Sequence, residues 1–139
     1  MFKHVLLAAD GSDHSLRATE KAIGLISTQD DSFMTVFYAV DTQTAKTDVL
    51  HHYDGDMLKE ERKKRLAGVE EMLQKANVNY EIVERHGEPG PAIVQFANES
   101  EFDAVVVGSR GLNGFQEMVL GSVSHKVAKR VEAPVMIVK

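Results

Sequence analysis

The sequence predicts an α/β protein built on one five-stranded parallel sheet with helices on both faces. Three observations predict it. Five short runs rich in apolar and β-branched residues alternate with segments of helical spacing, giving the order βαβαβαβαβ. The run Val105-Val106-Val107 carries no polar alternation, which suits a strand covered on both faces. The first, second and fourth runs each end on Asp10, Asp41 or Gly108, so chemically useful residues gather where strands give way to loops. Right-handed crossovers are expected throughout.

His4-Val5-Leu6-Leu7-Ala8-Ala9-Asp10 reads as the first strand, ending in a carboxylate, and Gly11-Ser12 as a turn with a helix N-cap candidate. From Asp13, Leu16, Ile23 and Ile26 fall on one helical stripe with Ala18, Ala22 and Leu25 beside it, and this helix should end between Ser27 and Asp31. Phe33 to Val40 is the second strand, dense in β-formers. Thr42 to Asp54 has no clear period, a loop length often associated with lids. A long amphipathic helix follows, its apolar face traced by Leu58, Leu66, Val69, Leu73 and Ala76. Glu60 with Lys64 and Glu61 with Arg65 give the favoured i,i+4 charge order. Tyr80 to Glu84 alternates as a strand with one wetter face would. Gly87-Glu88-Pro89-Gly90-Pro91 is a turn cluster, Pro91 suits a first helical turn, and Ile93, Phe96 and Ala97 supply that helix's buried side. After the fourth strand, Val123 to Ala128 has helical spacing with Ser122 as its N-cap. Ala133-Pro134 breaks this last helix, and Val135-Met136-Ile137-Val138 forms the fifth strand.

Bulk properties bound the function. At 139 residues, with 43% apolar and 27% charged residues, the chain is expected to form a single domain, 1–139. A formal net charge of −5 argues against a general nucleic-acid or anionic-membrane binder. The absence of cysteine removes disulfides, thiolate chemistry and sulfur metal sites. No run approaches the roughly 20 apolar residues of a membrane span, and the first residues lead straight into a strand, so a cytoplasmic protein is expected.

In a parallel sheet, ligands bind at the carboxyl ends of strands where the winding direction reverses. If the strand order is 3-2-1-4-5, Asp10 and Gly108 meet across that reversal. Gly108 and Gly111 allow a sharp turn with close backbone approach, and a helix N-terminus at Gly121-Ser122 would aim its N–H groups at the same place, a combination suited to phosphate. A P-loop is excluded, because no Gly-Lys pair occurs. Asp10-Gly11-Ser12-Asp13 offers a single glycine where the dinucleotide fingerprint needs several, and Arg85-His86-Gly87 stands where a receiver domain would carry its phosphoacceptor aspartate.

The remaining pattern, Gly108-x2-Gly111-x9-Gly121-Ser122, resembles the nucleotide-binding signature of the universal stress protein family. The likeness runs along nearly the whole chain: Ala9-Asp10-Gly11-Ser12, Gly87-Glu88-Pro89, Gly108-Ser109-Arg110-Gly111, Leu120-Gly121-Ser122-Val123-Ser124 and Ala133-Pro134-Val135, in order. It implies the five-stranded 3-2-1-4-5 fold termed adenine nucleotide alpha hydrolase-like, with ATP or AMP as ligand. Backbone groups at Ala39 and Val40 would meet the adenine. Asp10 would lie by the ribose and phosphates, acting through a nucleotide-bound Mg (or Mn) ion, since a bare carboxylate repels phosphate. Val107, Gly108, Arg110 and Gly111 would line the ribose and phosphates, and Gly121, Ser122, Val123 and Ser124 would hold the terminal phosphates. Ala8 stands where some binding members carry proline. The resemblance also implies a homodimer joined through strand 134–139, whose apolar edge invites pairing.

Simpler roles exist for several of these residues. Asp10 could merely cap the first helix or bind a turn N–H, Arg110 could be a solvated surface charge, and Ser122 and Ser124 cap their helix in either case. His51-His52-Tyr53-Asp54 lacks the spacing of a rigid metal site, and His125 reads as a surface histidine. Met57, Met72 and Met118 read as core or interface fillers, and the mixed charges of Lys59 to Arg65 as a solvated helix face. An enzyme, such as a slow ATPase or a nucleotidyl transferase, is the weaker reading. The His-x-Gly-His and Lys-Met-Ser-Lys-Ser motifs are absent, and no residue stands out as a general base.

Overall fold

A computed structural model describes residues 2–26, 28, 31–40, 55–109 and 121–139, with 55–58 described by backbone alone. Its elements are β1 (His4–Ala8), α1 (Asp13–Leu25), β2 (Phe33–Val40), α2 (Gly55–Lys75), β3 (Tyr80–His86), α3 (Pro89–Glu99), β4 (Ala104–Gly108), α4 (Ser122–Arg130) and β5 (Val135–Val138). The strands form one sheet in the order β3-β2-β1-β4-β5, and every neighbouring pair is parallel. The chain winds outward from β1 through β2 to β3, then returns to place β4 on the other flank of β1. The reversal therefore falls between β1 and β4, where Leu7 lies opposite Val106.

Alternation along the strands divides the core into two layers. Val5, Leu7, Val36 and Val106 face α1 and α2, and they pack with Ala18, Ala22, Leu66, Val69 and Leu73. Leu6, Ala8, Phe37, Val105 and Val107 face α3 and α4, and they pack with Ile93, Ala97 and Val127. Because β1 and β4 are apolar on both faces, they can sit at the centre of the sheet. Truncating Leu6 or Leu7 to Ala would cost about 2–5 kcal/mol.

Several elements depart from the sequence reading. In α1, Ala18 and Ala22 are buried as expected, but the other most buried positions are Ser15 and Thr19; Leu16 and Ile23 pack only partly against the core. Small side chains let the helix approach the sheet closely, and the Thr19 hydroxyl is satisfied by the Ser15 carbonyl at 2.7 Å. The helix stops at Leu25, earlier than the expected 27–31 end, because Ile26 turns to extended backbone and enters the core. In α2, Ala76 is exposed and outside the helix. Asn77 adopts a left-handed φ of 56°, and the Asn77 and Val78 N–H groups bond the Gln74 and Leu73 carbonyls at 3.2 and 3.1 Å. This is a Schellman ending, with asparagine in the place usual for glycine. Strand β3 continues to His86, since its last residues pair with Ala39 and Val40. Helix α3 begins at Pro89, which places Pro91 in its first turn as expected.

Candidate switch-point site

On the β1 wall, the Asp10 carboxylate organises the turn into α1. Its Oδ1 accepts from the Ser12 N–H at 2.9 Å and from the Ser15 hydroxyl at 2.7 Å. The Asp10 N–H donates in turn to Ser15 Oγ at 2.8 Å, and Ser12 caps α1 by accepting from the Ser15 N–H at 3.2 Å. The simpler role considered for Asp10 is thus present. Ser15, which the sequence reading passed over, completes this knot; its position three after Ser12 was the available signal. Gly11 needs its glycine twice over. Its φ of +87° is left-handed, and a Cβ there would lie 2.8 Å from the Arg65 carbonyl oxygen, so α2 rests directly on the turn.

On the β4 wall, Ser109 follows Gly108 and ties three elements together. Its N–H donates to the Val138 carbonyl at 2.7 Å, and its carbonyl accepts from the Gly121 N–H at 2.9 Å. The same carbonyl accepts from the Ser124 hydroxyl at 2.9 Å. The N-terminus of α4 therefore sits at the carboxyl end of β4. Its N-cap is Gly121, correcting the assignment to Ser122, which is exposed and the first helical residue. A glycine cap has no side chain to cover the helix end. The first intrahelical bond runs from the His125 N–H to the Gly121 carbonyl at 3.0 Å, so the Ser122, Val123 and Ser124 N–H groups have no acceptor within the helix. The other two fully described helix starts are less suited to an anion. That of α1 is capped by Ser12, and that of α3 carries Pro89 and Pro91, which lack N–H groups.

The two walls meet. The His14 Nδ1 of α1 lies 3.5 Å from Ser109 Oγ, a contact between residues 95 apart in sequence. No sequence signal linked them. Asp10 and Gly108 are thus brought to the same rim. Ala8 and Val107 are buried in the layer beneath it, with little side chain to offer a ligand. Arg110 and Gly111 lie outside the described residues, as do 42–54, including His51 to Asp54, and Met118. Met72 is half-buried and His125 exposed.

The far end of the crevice is formed by β2. The Ala9 N–H bonds the Phe37 carbonyl, and the Gly87 N–H bonds the Val40 carbonyl on the opposite side. Because main-chain groups alternate along a strand, Ala39 directs its N–H and C=O past the end of β1, whereas Val40 directs them to β3. The structure therefore separates the two: Ala39 faces the crevice by its backbone, and Val40 does not. Beside it, Arg65 donates to the Tyr38 hydroxyl at 3.3 Å and to Glu61 at 2.7 Å. Burial pushes the Tyr38 phenol above its usual 10.0, against the pull of the Arg65 cation, so it stays protonated at neutral pH. The Lys59–Arg65 run is therefore more than a solvated face at this residue. Among the described residues no three His, Asp or Glu side chains are grouped to hold a metal ion, so a cation at Asp10 would take its other ligands from a bound phosphate.

A profile of the universal stress protein family matches residues 1–139. The chain belongs to the universal stress protein family. It is 36% identical to the universal stress protein YxiE of Bacillus subtilis, with all of both chains covered. The fold is similar to that of the hypothetical protein MJ0577, with a TM-score of 0.86, 24% identity and coverage of 100% of this chain and 96% of the other. A universal stress protein crystallised in complex with cAMP has a TM-score of 0.73 and 28% identity over 99% of this chain and 97% of that one. The family's 3-2-1-4-5 sheet is the one described above.

Proposed function

We propose that this chain is a nucleotide-binding regulatory protein that holds ATP or AMP, with Mg (or Mn), in the crevice between β1 and β4. The observation that carries the reading is the Ser109–Gly121 junction. It sets a helix start without a side-chain cap beside the glycine end of β4, at the point where the sheet reverses. The 28%-identical relative that binds cAMP supports an adenine nucleotide as the ligand class. The Ser122, Val123 and Ser124 N–H groups would meet phosphate, Asp10 the nucleotide-bound cation, and the Ala39 backbone the adenine. The cation would neutralise phosphate charge and so permit Asp10 to approach.

Binding without rapid turnover is the proposed activity, because the sequence carries neither His-x-Gly-His nor Lys-Met-Ser-Lys-Ser, the motifs of nucleotidyl transfer. The proposed assembly is a homodimer through β5. At that sheet edge Met136 is 38% exposed, beside a groove lined by Glu20, Lys21, Gly24 and Leu25. The opposite edge, β3, exposes Glu81, Arg85 and His86, charges that discourage strand pairing. The test is titration of the folded protein with ATP and Mg²⁺. Saturable binding below millimolar nucleotide is expected, with turnover slower than about one per second, the low end of ordinary enzymes. No binding at millimolar nucleotide defeats the reading.

A further inference from the structure

The family pattern assigns Ser124 to the terminal phosphates, but its geometry points elsewhere. Ser124 is 1% exposed. Its hydroxyl reaches two main-chain carbonyls, those of Ser109 at 2.9 Å and Gly121 at 3.0 Å. A serine hydroxyl carries one hydrogen, and both acceptors already compete for it. Donation to a phosphate oxygen would require that hydrogen to leave the buried Ser109 carbonyl and the part-buried Gly121 carbonyl, and the side chain to turn out of a packed site. The Ser109 carbonyl also takes the Gly121 N–H, so two donors converge on one oxygen where the chain leaves β4 and where it enters α4.

We infer that Ser124 is a positioning residue: its hydroxyl fastens the start of α4 to the end of β4 and thereby aims the α4 N–H groups, without itself touching the nucleotide. This rests on the nucleotide-binding reading above. The Ser124 N–H remains available for phosphate, so the residue's two polar groups divide the work: the side chain holds the helix in place, and the backbone contributes to the anion site. Ser122, exposed at the first helical position, is then the side chain in this turn placed to reach a ligand.

The full chain is compared with Ser124→Ala and with Ser124→Cys, which fills the site but donates weakly. Amide hydrogen exchange is followed by NMR without nucleotide, and ATP–Mg²⁺ and adenosine are then titrated. Loss of one fastening bond should speed Gly121 exchange roughly three- to tenfold in both variants and weaken ATP by a similar factor, adenosine less. Core amides such as that of Val106 should keep their protection. Weaker ATP binding with unchanged Gly121 exchange would make Ser124 a direct ligand and overturn the inference. Faster exchange with unchanged ATP affinity would overturn it equally, by removing the positioning role. Failure of the wild-type protein itself to bind ATP would instead remove the nucleotide reading, an outcome visible before any variant is examined.

Discussion

Individual carboxylates show how one residue type serves different ends of this sheet. At the carboxyl ends of the strands, Asp10 fastens the entry to α1 through Ser12 and Ser15. Asp10→Asn keeps an oxygen acceptor but removes the charge. It should change the urea midpoint little while abolishing most of the Mg²⁺ dependence of ATP binding, measured by titration with and without the ion. At the opposite ends of the strands, Asp103 Oδ2 accepts from the Lys3 and His4 N–H groups, both at 2.9 Å. These backbone donors hold its carboxyl below the ordinary 3.8. A lowered folded-state value means that the folded protein resists protonation there. The stabilisation is complete above pH 3.8 and fades as pH falls through the lower folded value. Asp103→Asn should therefore lose stability at pH 7, by about 1 kcal/mol or less for so exposed a group. Its deficit relative to wild type should shrink in denaturant melts taken at successively lower pH below 3.8.

Elements obey their sequences where burial alone decides, and depart from them where close approach or a local turn intervenes. The paired apolar faces of β1 and β4 and the Leu66–Val69–Leu73 face of α2 were legible, since each is a periodic row of large apolar residues. Of the α1 face, Ala18, Ala22 and Ile26 were read correctly, whereas Leu16 and Ile23 were given too much weight and Ser15 and Thr19 too little, because periodicity rewards large apolar residues and this helix is seated by small ones. Ala22→Leu, at a position with no exposed surface, should overpack the α1 interface and cost about 1–3 kcal/mol in chemical denaturation. The α4 cap was misread because a serine beside a glycine is the better generic cap, while an uncovered helix end is what leaves room for an anion. At the β5 edge, Met136→Lys places a charge on the proposed pairing surface. Light scattering should show a shift from twice the chain mass towards the single chain, and an unchanged mass would count against that interface.

At the scale of the whole molecule, the strand order is what makes a site from separate motifs. Asp10 and Gly108 are almost a hundred residues apart, yet the β3-β2-β1-β4-β5 order makes their strands neighbours. Both motifs were readable, and their convergence followed once the order was assumed. The contact that joins the walls, His14 with Ser109, and the Ser124–Ser109 bond within the β4 wall carried no sequence signal, because hydrogen bonds between separate segments have no period or spacing. Selection of Ala39 over Val40 likewise needed the strand register, which fixes the side to which each main-chain group points. If this crevice holds an adenine nucleotide, backbone amide shifts recorded during an ATP–Mg²⁺ titration will locate it. Saturable shifts should concentrate at Asp10, Ala39, Gly108 and Ser122 to Ser124 while the β3 edge stays still. Shifts confined to another face, or none at millimolar ATP, would contradict that placement.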